Sequence, residues 1–168
     1  MTRRSRAREV VLQLLFQWDL NRAVREESIH QFIHERLKNG EAEQFCLELY
    51  QGVIDHQSKI DALISQSSEN WKIQRMAPTD RNVLRMGTYE MEFAPTKTPA
   101  PVALDEAIEL SRRYGSADSS SFVNGVLDKI YQHLTGESLA KAAQAAVPPA
   151  DVVPETTEPD APPSDAAE

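Results

Sequence analysis

A chain of 168 residues with a net charge of −8 has room for one domain with a real core and not for two of ordinary size. Cys46 is the only cysteine, which excludes an intramolecular disulfide and a cysteine-based zinc site. Gln13, Gln17 and Asp19 interrupt the apolar stretch behind the basic N-terminus, so neither a membrane span nor a secretory signal is read there and a cytoplasmic protein is expected.

Charge is unevenly distributed. Arg3, Arg4, Arg6 and Arg8 fall in the first eight residues with no acid among them. From Glu137 onward seven acids face Lys141 alone, which leaves −2 for the rest of the chain.

Ala7, Val10, Val11, Leu14, Leu15 and Trp18 recur at three- and four-residue spacing, predicting a first helix with Ser5 as its cap. Leu12, Phe16 and Leu20 widen its apolar face, as in a central or partner-covered helix. Ser28 with Gln31 reads as a capping box for a second helix, with Ile29, Phe32, Ile33 and Leu37 inward and Gly40 as its stop. A long third helix is predicted from about Glu41 to Ser65, with Phe45, Cys46, Leu49, Val53, Ile60 and Ile64 inward. A short turn around Trp71, Ile73 and Met76 is broken by Pro78. The next helix carries Val83, Leu84, Gly87 and Met91 and stops before Pro95.

Another helix is predicted from about Val102 to Tyr114, closed by Gly115. The last is capped among Asp118, Ser119 and Ser120 and turns Phe122, Val123, Val126, Leu127, Ile130 and Leu134 inward. Gly125 lies inside it at a cost of ~1 kcal/mol against Ala, which predicts the close approach of a neighbouring helix. Alternating β-branched runs are too short for strands, so the fold class is all-α. Residues 1–136 read as a helical domain and 137–168 as a disordered tail, because from about Lys141 the chain holds six of its ten prolines and no aromatic residue.

His30 and His34 have the i, i+4 spacing of two zinc ligands, but Gln31 stands where a metalloprotease needs glutamate and a third ligand is not apparent. Two surface histidines and no metal are expected. Asp105, Glu106 and Glu109 could form an acid/base pair, yet acids early in a helix are also expected from its dipole. Without a Gly-rich phosphate loop, nucleophile elbow or dinucleotide fingerprint, the chain reads as non-enzymatic and free of cofactors.

The arginines resist so plain an explanation. Arg6 and Arg8 in a first turn oppose the positive end of the helix dipole, and Arg3 and Arg4 precede it with no acid beside them. A polyanionic partner accounts for them, and Arg6, Gln13 and Gln17 continue a polar stripe within about 40° on the helical wheel. Single-stranded RNA is expected over duplex DNA, because no helix-turn-helix spacing is present. Four phosphate contacts would give a salt slope of about −3.

The segment Pro101-Val-Ala-Leu-Asp-Glu-Ala-Ile-Glu-Leu-Ser-Arg-Arg-Tyr-Gly115, followed by Asp118 and Phe122-Val-Asn-Gly-Val-Leu-Asp-Lys129, resembles the C-terminal signature of the NusB family of bacterial transcription antitermination factors. Arg6 to Trp18 is similar to that family's opening, and Trp71-Lys-Ile-Gln-Arg-Met76 and Asp80 to Glu90 are similar to its central motif. The resemblance implies about seven helices in two small packed bundles. It implies binding of the boxA element of single-stranded ribosomal RNA leaders together with NusE, a small-subunit ribosomal protein, in the RNA polymerase antitermination complex.

By matched position it gives RNA contact to Arg4, Arg6, Arg8, Asp118 and Phe122, which Arg3 joins by its charge, and NusE contact to Phe16 and Asp80. Phe122 could stack on a base, and Asp118 either accepts from a base edge or caps its helix. Ser5 and Pro101 stand where the family often has basic residues, which thins the charge. A homodimer is compatible with the resemblance. The alternative reading is a helical protein-interaction module akin to the domain fused to RNA cytosine methyltransferases.

Overall fold

The structure, a computed structural model, describes residues 1–145, so the expected disorder of the tail falls mostly on 146–168, outside the described residues. Every regular element among the described residues is helical: α1 (Arg3–Leu20), α2 (Glu26–Leu37), α3 (Gly40–Asp55), α4 (Gln57–Ser67), α5 (Pro78–Thr88), α6 (Ala100–Tyr114), α7 (Ser119–Thr135) and α8 (Leu139–Ala145). A 3-10 turn (Ile73–Arg75) precedes α5 and a π turn (Tyr89–Phe93) extends it. No helix of these residues is long and apolar enough to cross a membrane.

Helix α1 packs with α2 and α3, while α4, α5, α6 and α7 pack among themselves, and the contact of α1 with α5 joins the two groups. The apolar periodicity of α1 explains its central place, since Ala7, Val10, Val11, Leu14 and Leu15 are all buried. Phe16 and Leu20, expected to widen that face, are exposed instead. The chain also continues beyond Gly136 in folded form. Leu139 is buried, its N–H donates to Asp128 Oδ1 at 2.7 Å, and α8 packs on α6 and α7.

Several predicted boundaries shift for local reasons. Thr2, not Ser5, caps α1: its extended backbone lets Oγ1 accept from Ser5 N at 3.0 Å. Arg3 and Arg4 therefore lie inside the first turn rather than before it. Helix α2 starts at Glu26, where Glu26 and Glu27 complement the dipole, and ends on Lys38 in the left-handed region at φ 50°. Gly40 begins α3 instead of stopping α2, and Asn39 accepts from Ala42 N as its cap. The predicted long third helix is two, because the backbone at His56 (φ −104°, ψ 9°) departs from helical dihedrals, although its N–H still donates to Gly52 O at 3.1 Å and its ring Nδ1 lies 2.9 Å from the same oxygen. Pro101 sits in the first turn of α6, where the missing N–H has no helical acceptor to lose.

The glycine expected to meet a neighbour does not: nothing lies within 4 Å of a Cβ built on Gly125. Gly87 and Gly52 take that role. A Cβ on Gly87 would stand 3.0 Å from Leu127 Cδ1, and one on Gly52 would stand 2.0 Å from Tyr89 Cζ. Gly52→Ala should therefore lower stability by ~1–3 kcal/mol as the Tyr89 ring is displaced. Gly125→Ala should raise it by ~0.5–1 kcal/mol. Urea midpoints with unchanged m-values check both signs.

A polar cluster fastens the other end of α1. Asp19 accepts from Arg81 and Asn82 at 2.9 Å each and pairs with Arg85 at 3.2 Å, while Arg85 holds Asp61 through two hydrogen bonds of 2.8 and 2.9 Å. Burial alone would raise the Asp19 pKa, but the hydrogen bonds from Arg81 and Asn82 and the charges of Arg81 and Arg85 hold it below its ordinary 3.8. A carboxyl depressed in the folded state lends stability that is complete above about pH 4 and is lost as the pH falls through the folded value. Thermal unfolding midpoints should drop across that acid range, and Asp19→Asn should flatten that part of the profile.

Candidate functional site

The four N-terminal arginines do not form one surface. Arg3 is exposed at the first position of α1. Arg4 keeps 62% of its side chain in water, stands 4.0 Å from Glu41 and lies over the Phe45 ring at 5.2 Å from its centroid. Arg6 is half exposed and donates to Glu9 at 2.6 Å. Glu9 is itself buried and also accepts from Arg113.

Arg8 differs in kind. Its Nε and Nη2 donate to the two oxygens of Glu90 at 2.9 and 2.5 Å, with both side chains 4% exposed. Glu106 lies 3.6 Å away on its other side, and the Phe45 ring is 5.1 Å from the guanidinium carbon. Expected on the RNA face, Arg8 is instead part of the interior. The reason is its position one turn from Val11 and Leu12 on the buried side of α1, with a carboxylate fixed opposite by the π turn.

The acids of α6 also need a different account. Helix α6 begins at Ala100 and has no acid in its first turn, so the dipole does not explain Asp105, Glu106 or Glu109. Glu106 accepts from Ser5 Oγ at 2.7 Å besides facing Arg8, and Glu109 holds Arg113 at 3.0 Å. Ser5, the apparent loss of a basic residue, thus ties α1 to α6. His30 and His34 are exposed, near Glu26 and Glu43 respectively, and no group of three potential metal ligands occurs among the described residues.

Asp118 and Phe122 lie one turn apart at the start of α7. Asp118 is exposed and its side chain makes no cap hydrogen bond, so of the two roles weighed for it, capping is not the one observed. Phe122 is half-buried and meets the Trp71 ring edge-on, with centroids 6.2 Å apart. At the far end of α1, Phe16 is 45% exposed. Asp80 is largely buried in the first turn of α5, and its Oδ1 has no hydrogen-bond partner among the described residues. The Asp19–Arg81 pair links these two positions, since Phe16 is one turn before Asp19 and Asp80 directly precedes Arg81.

Sequence reasoning missed Phe45, placed among the core residues, as the ring under two guanidinium groups, and Arg113 as a partner of the N-terminal charges. Neither has a local signal, because each depends on contacts between distant segments.

Arg8→Ala would leave Glu90 buried without its partner and should destabilise the fold by ~3–5 kcal/mol. Arg4→Ala, at an exposed site, should stay within about 0.5 kcal/mol. Chemical denaturation of the two variants separates the interior arginine from the surface one.

Comparison with known proteins gives a consistent picture. The model described as the NusB family matches residues 5–132. A transcription antitermination protein NusB from Desulfatibacillum aliphaticivorans is 42% identical over 141 residues, 84% of this chain and 98% of that relative. The solved structure of T. maritima NusB superposes with a TM-score of 0.69 at 35% identity, covering 86% of this chain and 98% of that one. A solved complex of antitermination factors NusB and NusE with double-stranded RNA contains a chain with TM-score 0.70 and 28% identity, covering 79% of this chain and 98% of that one.

Proposed function

Because the chain belongs to the NusB family, we propose that it is a cytoplasmic transcription antitermination factor binding boxA-type single-stranded RNA of ribosomal RNA transcripts. A NusE-type ribosomal protein is its co-ligand, and the RNA polymerase antitermination complex is its destination. It works without catalysis or a cofactor.

The observation that carries this reading is the cationic first turn of α1. Arg3 and Arg4 occupy the first two positions of a helix with no acid in its first turn, and Arg6 follows at the fourth. Such an arrangement is electrostatically unfavourable for the protein alone and favourable for a phosphate chain. With Arg8 withdrawn into the interior, phosphate contact rests on Arg3, Arg4 and Arg6. The exposed carboxylate of Asp118 is free to accept from a base amino group, and Phe122 offers a ring for stacking.

The protein partner is assigned to the opposite end of α1, through Phe16 and Asp80. Phe16 and Leu20, large apolar side chains left exposed at the end of a helix whose middle is core, favour a covering partner. The same two residues support the second reading, a pure interaction module, with a homodimer as one form of it.

Titration with boxA-like and scrambled RNA decides between them. The family reading expects preference for the boxA-like strand and a salt slope of about −2, as for three phosphate contacts. Replacing Arg3, Arg4 and Arg6 together by Ala should abolish most of that slope and leave the helical signal unchanged. A chain that binds neither RNA is an interaction module.

A further inference from the structure

We infer that Trp71 is a second base-stacking surface, paired with Phe122, so that bound single-stranded RNA passes over the start of α7 onto the turn between α4 and α5. The inference rests on the RNA-binding reading above and extends it to residues that the site has not so far included.

Trp71 leaves 56% of its surface in water, although an indole has more to gain from burial than almost any other side chain. Its backbone is held firmly. Trp71 N donates to Ser68 O at 2.9 Å, and Ser68 Oγ lies 3.1 Å from Trp71 O and 2.7 Å from Ile64 O. Ile73 and Met76, just beyond, are buried and anchor the 3-10 turn. The ring therefore stands out from a fixed support.

Its neighbour is Phe122, with the two ring planes inclined at 70°. A base lying flat on one of these rings meets the other at its edge, an arrangement that aromatic systems favour. Lys72 and Arg75 on the same turn are exposed, and neither pairs with a carboxylate among the described residues. The one acid on the turn, Glu69, lines a separate recess with Lys129 and His133. Aromatic faces flanked by free cations are what a single strand needs, stacking for its bases and charge for its phosphates. A protein partner would find the apolar ring equally useful but has no comparable need for the cations.

The test titrates fluorescently labelled boxA-like RNA into the full chain and into Trp71→Ala, Trp71→Phe and Lys72→Ala/Arg75→Ala variants at several salt concentrations. Trp71→Ala should weaken binding about tenfold, as loss of a stacked base does, and leave the salt slope unchanged. Trp71→Phe should restore most of the affinity. The double cation variant should instead flatten the slope by about 1.4. Indole fluorescence should be quenched by RNA in the natural chain and hardly at all in Trp71→Phe, which retains Trp18.

Tight RNA binding that Trp71→Ala leaves untouched overturns the inference while the RNA reading stands. So does a loss that Phe does not restore and that accompanies a lowered unfolding midpoint, which makes the indole a structural residue. Weakened binding of the protein partner with RNA affinity intact assigns the patch to protein and also overturns it. Failure of the natural chain to bind RNA removes both readings together.

Discussion

Burial of the Arg8 guanidinium against Glu90 sets the terms for the rest of the molecule. Neither charge is tolerable alone at 4% exposure, so the pair forms only if α1, the π turn and the segment carrying Thr98 arrive together. Thr98 donates its hydroxyl to Glu90 Oε1 and its N–H to Glu90 O, and Glu106 brings α6 to the same place. The apolar stripe of α1 selects which side turns inward, and the charge pair adds a directional contact on that same side. Arg4, a turn earlier over the same Phe45 ring, reaches water beyond the covered stretch.

Helix α1 consequently serves two surfaces with one rigid rod. Its 18 residues span about 27 Å at 1.5 Å per residue. One end gathers positive charge that the protein's own acids only partly answer. The other carries Phe16 and Leu20 beside the Asp19–Arg81–Arg85 cluster, which joins α1 to α5 and, through Asp61, to α4. Under the proposed function a nucleic acid and a protein would occupy the two ends without competing for the same residues, at a spacing set by a helix whose middle is core.

Much of this was legible in the chain itself. The three-four periodicity marked α1, α5 and α7, because an amphipathic helix writes its buried face directly into residue spacing. What remained hidden depends on partners far along the chain. Whether a guanidinium faces water or a carboxylate is not local information, and Glu90 is 82 positions from Arg8. The break at His56 has no proline or glycine at the junction to mark it. Among glycines inside helices, only the packed structure tells Gly52 and Gly87, which meet neighbours, from Gly125, which does not.

That open position has a consequence of its own. Gly125 follows Phe122 by three residues and Asp118 by seven, so the three share one outward face of α7. A methyl group there would suit the helix better, and nothing within 4 Å would oppose it. If RNA lies along this face as proposed, the same methyl would stand between the strand and the backbone, so the change that steadies the helix would also alter the surface offered to the ligand.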